Sequence, residues 1–419
     1  MTRRRIAVVG SGVAGLTAAH VLQRGAEVTL YEADDRLGGH ADTHEVATSD
    51  GRLLGVDTGF IVHNRRTYPM LGRLFRELDV ATQESDMSMS ISCGGCGLEY
   101  AGGRGLSGLL ASARTLANPK YLRMLAEVRR FHGRARALLE RDEDGQTLRE
   151  FLTAGRFSPY FAAHFMTPLI AAVWSTAPTR TGDYPARYLF AFLANHGMLS
   201  VTGAPSWYTV VGGSARYVER VAKAITVVQT STPVRAVTRV AGGVVIRDDA
   251  DSQAAFDGVV IATHPDHALR LLADPLAAET EVLGAIGYTT NPAILHTDRS
   301  VLPRASRAQA SWNYALPSCA AAPTSVQLSY HMNRLQRLDT PETYVVTLNP
   351  GARVDERTII DRMVYQHPVY TSDSVAAQRR LPELNDAVIA YAGAYHGWGF
   401  HEDGCRSGVE AAASLGVSW

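Results

Sequence analysis

Gly10-Ser11-Gly12-Val13-Ala14-Gly15 follows the short β-branched run Arg5–Val9 and precedes a helix-forming stretch, Leu16–Gln23. Strand, glycine turn and helix in that order predict a phosphate site. Gly10 permits the tight turn, Gly12 lets a pyrophosphate approach the backbone, and Gly15 lets the helix pack close to the strand. A helix opening at Val13 and Ala14 offers free N–H groups and partial positive charge to the phosphates. Glu27–Tyr31 reads as a second strand ending in Glu32, with Ala33 beside it. A carboxylate at that distance accepts from both hydroxyls of a ribose. Gly103-Arg104-Gly105-Leu106-Ser107-Gly108 repeats the glycine spacing, but no strand with a terminal acid follows it. It reads as a loop and helix start, and a second nucleotide domain is not expected.

Shortly after the acid comes Arg36-Leu37-Gly38-Gly39-His40, whose glycine pair lets a second piece of backbone approach the same pyrophosphate. Val56-Asp57-Thr58-Gly59 is a further strand and turn. Here the sequence resembles the flavin-containing amine oxidase and phytoene desaturase superfamily. That superfamily carries an acid, an Arg and a Gly-Gly pair just after its first βαβ unit. Many amine oxidases have Arg after the glycine pair, where this chain has His40, so the resemblance implies a weaker phosphate contact there. Later blocks resemble the superfamily in the same order. Trp207–Ser214 is similar to the segment that returns the chain to the FAD domain, and Thr232–Val237, with Val234, to the strand whose backbone meets the adenine. Phe256–His264, with Ala262, is similar to a strand ending in a small-residue turn near the dinucleotide. Gly399-Phe400-His401-Glu402-Asp403-Gly404 resembles the last flavin-binding element, which implies cofactor contact at Glu402 and Asp403. The nearest likeness is to bacterial amine-oxidase-like proteins described as predicted NAD/FAD-binding.

The resemblance implies FAD as cofactor and an α/β fold, a Rossmann-like FAD-binding domain interleaved with an α+β substrate domain. The FAD domain is expected at 1–62, 206–272 and 383–419, and the substrate domain at 63–205 and 273–382. Within the latter, Tyr121–Glu140, Leu148–Phe157 and Ser158–Trp174 (apart from Pro168) look helical, and Ser325–Tyr330 and Thr343–Leu348 look like strands. The charge run Arg129–Arg134 suggests phosphate contact or, more simply, a solvated helix face.

A flavin carries out two-electron chemistry at N5, so the protein must place a substrate C–H, exclude water and stabilise the reduced ring. Asp403-Gly404 can start a helix through Leu415 whose N-terminus offsets charge at the pyrimidine edge. By the family pattern Phe400 falls where amine oxidases place an aromatic of the substrate cage, and it lacks a tyrosine's hydroxyl. His401 is a candidate base, and so is Glu402; both could equally hold the loop by hydrogen bonds. Trp174, Trp312, Tyr314 and Trp398 could line an apolar chamber or simply pack the core, with Trp398 favoured by its motif. Many superfamily oxidases place a lysine near flavin N5. Lys120 and Lys223 are the only lysines, and neither is expected there.

Composition limits the rest. Forty-one basic and forty-one acidic side chains cancel over 419 residues, leaving no global field to draw in nucleic acid or an anionic membrane. Four cysteines are too few for a disulfide scaffold, so a reducing, cytoplasmic setting is expected. Cys93-Gly94-Gly95-Cys96 has the spacing of half a zinc site or a redox dithiol. No second Cys or His pair follows at metal-site distance in sequence, so two unremarkable thiols and no metal are expected. The apolar part of the N-terminus, Ile6–Val9, is too short for a signal peptide, and no stretch has the length of a membrane span. Peripheral lipid contact stays open. The leading expectation is an FAD-dependent oxidoreductase that removes hydride from, or desaturates, a largely apolar, fatty-acyl or lipid substrate. The alternatives are an amine oxidase producing aldehyde, ammonia and peroxide, and a non-catalytic FAD-binding protein.

Overall fold

Ile6, Ala7, Val8 and Val9 are all buried, which requires a strand covered on both faces, and parallel sheets are built that way. The computed structural model, which describes residues 3–141, 145–200, 203–319 and 323–419, places them at the centre of a five-stranded parallel sheet. Strand β1 (Arg4–Val9) lies between β2 (Ala26–Tyr31) and Gly258–Ile261, with Ile6 opposite Val28 on one side and Gly258 on the other. Val227–Gln229 and Ile389–Tyr391 complete the sheet at its two edges.

Helix α1 (Val13–Leu22) covers one face. Beside it lie the C-terminal helix, His401–Ser414, and helix α2, Pro69–Glu77. Residues 63–205 and 273–382 are expected in the substrate domain, and two helices from those ranges share cores with the parallel sheet and its covering helices. Leu71, Leu74 and Phe75 of α2 form an apolar stripe at helical spacing, buried in the core that also holds α1 and the C-terminal helix. On the opposite face Val282 and Leu283, from the helix Ala277–Gly284, meet Ala7, Val9 and Val259.

The second sheet has seven strands, mostly antiparallel, drawn from residues 89–102 and 288–368. Within it Trp312–Leu316 runs parallel to Met89–Cys93, which turns at Cys93–Gly97 into Glu99–Gly102. A helical layer packs with this sheet in one core that includes Phe131, Phe161, Phe190 and Tyr314. Its longest member, Pro119–Leu139, starts at Asn118, whose side chain accepts from the Lys120 and Tyr121 N–H groups. Along it Arg129, Arg130 and Arg134 are exposed while Phe131 is buried, the arrangement of a solvated face. Arg130 lies over the Phe157 ring at 4.4 Å.

The stretch Ser158–Trp174 is helical with a π-turn at Ala162–Met166 before Thr167–Trp174. Pro168 has no N–H to give the carbonyl of His164, and the Tyr100 hydroxyl donates to that carbonyl instead, at 2.8 Å. Gly105–Leu109, in the second glycine match, is a five-residue helix. Among the described residues no helix is long and apolar enough to cross a membrane.

Candidate active site

Gly10 ends β1 with φ +98°, and a Cβ there would stand 2.8 Å from the Ala262 carbonyl oxygen. One on Gly15 would stand 1.9 Å from the Gly10 carbonyl oxygen, so the helix start is pressed against the turn. Gly12 differs: its φ of −62° suits any residue, and a Cβ there would meet no atom within 4 Å. The Gly12 backbone faces open space, as the close approach of a phosphate requires. Gly39 (φ +57°) closes over it, 3.2 Å from the Gly12 Cα by its own notional Cβ. Gly38 donates its N–H to the Ser11 carbonyl and hydroxyl oxygens, both at 3.1 Å. The two glycine turns therefore form one backbone cradle.

Glu32 sits at the end of β2. Its Oε2 accepts from the Ser11 N–H at 2.9 Å and the Ser11 hydroxyl at 2.5 Å, and Oε1 accepts from the Asp34 N–H at 3.0 Å. Ser231 and Thr232, leading into the strand that starts at Val234, donate to the Asp34 and Glu32 carbonyls at 2.8 Å. Val234 thus stands beside the acid while Ala33 is exposed next to it. Arg36 pairs with Asp42 at 3.1 Å. Burial lowers the pKa of His40, whose ring lies between Tyr365 and His367, and Gly59 packs beneath its carbonyl. Backbone N–H groups therefore face the cradle with little side-chain cation, an arrangement that fits an adenine dinucleotide held by turn and helix terminus.

Gly404 and Gly408 bring the C-terminal helix against Val13, Ala14, Thr17 and Ala18, so its first turn adjoins the first turn of α1. The helix starts at His401, two residues before the sequence predicts, because Asp403 caps it by accepting from the Phe400 N–H at 3.1 Å. The approach to it is pinned from the substrate side. Trp174 donates its indole N–H to the Trp398 carbonyl at 3.0 Å, and Tyr188 and Tyr370 donate to the Gly397 carbonyl at 2.8 and 3.0 Å.

Trp398, Phe400, Glu402 and Asp403 line a cavity of about 300 Å³, with Tyr68 and His196 opposite and Arg66 and Arg406 also on its wall. Both carboxylates are already engaged. Glu402 accepts from the Met70 and Leu71 N–H groups at 2.9 and 3.0 Å, and Asp403 pairs with Arg406 at 3.1 Å as well as capping the helix. Burial pushes Glu402 up to about 7 and Asp403 up to about 6. Tyr68, His196 and α2 carried no functional signal in the sequence; the Pro69 that opens α2 was the visible trace.

His401 does not line this cavity. Its ring stacks on Phe60 at 3.6 Å between centroids, its Nε2 lies 3.2 Å from the Tyr217 hydroxyl, and burial holds it well below the usual imidazole range. These contacts hold the ring at the start of the C-terminal helix, on the side of Phe60 and Tyr217. Trp312 and Tyr314 also lie apart from the cavity, on the seven-stranded sheet, with their Nε1 and hydroxyl buried and unpartnered.

The parallel sheet's dinucleotide cradle therefore adjoins, through the C-terminal helix, a partly aromatic cavity walled by the start of α2, Asn195 and His196, and the start of that helix. The profile of the family "flavin containing amine oxidoreductase" matches residues 13–347, and the chain belongs to that family. It is a flavin-dependent oxidoreductase. A carotenoid phi-ring synthase of Streptomyces griseus is 40% identical over 72 residues, which are 17% of this chain and 14% of that protein. Putrescine oxidase with bound putrescine superposes over 98% of both chains at a TM-score of 0.70 and 17% identity. The fatty acid isomerase of P. acnes that produces CLA superposes over 99% of both at 0.70 and 15% identity. These two structural likenesses establish the fold.

Proposed function

We propose that the protein binds FAD and takes hydride from a largely apolar substrate with an anionic head, of the fatty-acyl class. Glu32 and the adjoining Val234 strand provide for a ribose and adenine that FMN lacks. With the dinucleotide running from the cradle toward the start of the C-terminal helix, that helix terminus offers partial positive charge to the reduced ring. The bound flavin supplies hydride acceptance at N5. Trp398 and Phe400 position the apolar chain and keep water from it.

One observation carries the substrate class: the cavity's carboxylates are engaged by backbone N–H groups and Arg406, while Arg66, which donates to the Asn195 and Gly203 carbonyls, brings positive charge to its wall. An ammonium substrate would find no free anion there, whereas a carboxylate would find the Arg66 guanidinium. The fatty acid isomerase among the similar structures is in keeping with this reading, and putrescine oxidase with the amine alternative.

The test is anaerobic bleaching of the bound flavin by a panel of fatty acids, their methyl esters and primary amines. Free acids are expected to bleach it fastest, Trp398→Ala to slow bleaching at least about tenfold with FAD retained, and His401→Asn to leave its pH profile unchanged. Reduction by amines alone would replace the reading with amine oxidation. A flavin that no compound reduces would favour the non-catalytic alternative.

A further inference from the structure

The turn Cys93-Gly94-Gly95-Cys96 does not stand alone in the fold. The Cys93 and Cys319 sulfurs lie 3.7 Å apart, the Cys96 sulfur lies 3.7 Å from His164 Nε2, and all four ligand atoms are within 4.8 Å of one another. A zinc tetrahedron with Zn–S of about 2.3 Å and Zn–N of about 2.0 Å has S–S edges of about 3.8 Å and S–N edges of about 3.5 Å. We propose that Cys93, Cys96, His164 and Cys319 form a structural zinc site. The proposal replaces the expectation of two unremarkable thiols: the fold brings to the turn His164 and Cys319, which lie 68 and 223 residues beyond Cys96, too distant for any spacing rule.

Each ligand is presented by an element shaped for it. The Cys93 N–H donates to the Leu98 carbonyl at 2.8 Å and the Gly97 N–H to the Cys93 carbonyl at 2.9 Å, with Gly97 at φ +68°, a tight turn that points two sulfurs the same way. A Cβ on Gly94 would meet the Pro317 carbonyl oxygen at 2.8 Å, and one on Gly95 the Cys319 nitrogen at 2.9 Å. The glycine pair thus lets the Cys319 loop close onto the turn. His164 sits in the π-turn, a form of helix that often re-aims a side chain at a site. Its Nδ1 lies 3.1 Å from the Tyr160 carbonyl oxygen; donating there fixes the tautomer and leaves the Nε2 lone pair toward the sulfurs.

Three thiolates and one imidazole are a soft, tetrahedral set that selects zinc over calcium or magnesium. Four protein ligands close the coordination sphere, so the site is structural with no open position for substrate. It ties the edge of the seven-stranded sheet to the helix that carries Trp174. This inference is independent of the substrate proposed above.

Metal content of the full-length, flavin-loaded protein, expressed without a histidine tag and measured by plasma mass spectrometry, tests it. About one zinc per chain is expected in the wild type and in Cys405→Ser, whose thiol is buried against Thr17. Zinc should fall to a small fraction in Cys319→Ser, the substitution at the most exposed ligand, and cobalt added to metal-stripped wild type should develop thiolate-to-cobalt absorption. Flavin-loaded wild type free of zinc after growth in zinc-supplemented medium would overturn the proposal. So would iron in its place, a Cys93–Cys319 disulfide in peptide mapping, or undiminished zinc in Cys319→Ser.

Discussion

Gly12 is the residue at which binding and folding separate. Its backbone angles suit any side chain and nothing stands near its missing Cβ, so Gly12→Val should fold with wild-type thermal stability in the absence of flavin. The added methyl groups would occupy the phosphate's space, and the purified variant should be colourless. Gly105→Ala, in the second glycine match and equally free of neighbours, should stay yellow. Absorbance at the flavin bands checks both, and a yellow Gly12→Val would move the pyrophosphate elsewhere. At this scale the sequence was legible where chemistry is contiguous: strand, turn, helix and acid lie within Arg5–Glu32. His164 and Cys319 were illegible because a ligand set assembled from three distant segments leaves no local pattern. Nor could the sequence tell that His401 would turn inward to Phe60 and Tyr217, since a histidine in a cofactor motif reads alike whether it faces cavity or core.

Glu402 joins two elements, the C-terminal helix that carries it and the first turn of α2 that donates to it. Its folded-state value of about 7 lies above the ordinary 4.5, so between those values the folded protein holds a proton that the unfolded chain releases. Stability from this group is therefore fully present below about 4.5 and lost as pH rises toward 7, by up to about 3 kcal/mol. Thermal melts of wild type should fall from pH 5 to pH 8 relative to Glu402→Gln, which keeps an acceptor and cannot titrate. Buried histidines such as His63 and His196, lowered to about 4, slope the other way in both proteins and cancel in the comparison. Parallel melting curves would mean that Glu402 is ionised in the fold across this range. Elements dense in apolar residues, such as Pro119–Leu139, were legible to within two residues at either end. The side on which α2 would pack was not, because its stripe of Leu71, Leu74 and Phe75 specifies a partner surface without saying which sheet supplies it.

Across the whole molecule, the parallel sheet is assembled from residues 4–9, 26–31, 227–229, 258–261 and 389–391, and its covering layer ends with the C-terminal helix. That interleaving has a consequence in time. At roughly 5 to 20 residues per second, about 20 to 80 s pass between synthesis of the first strand and of the sheet's last strand, Ile389–Tyr391. Meanwhile β1, α1 and β2 form a unit with apolar surface on both faces and an unpaired edge, the kind of intermediate that aggregates. The parallel-sheet half is begun first and finished last, whereas the strands of the seven-stranded sheet are all present once Pro368 has emerged. Deleting 389–419 should therefore give protein that aggregates and carries no flavin, while expression at low temperature or with added chaperone should raise the yield of full-length yellow protein. Equal soluble yields under all these conditions would show that the early segment is protected by some other contact. A fold that reads in sequence order as nucleotide first is thus, for the nascent chain, a long wait with its cofactor site open.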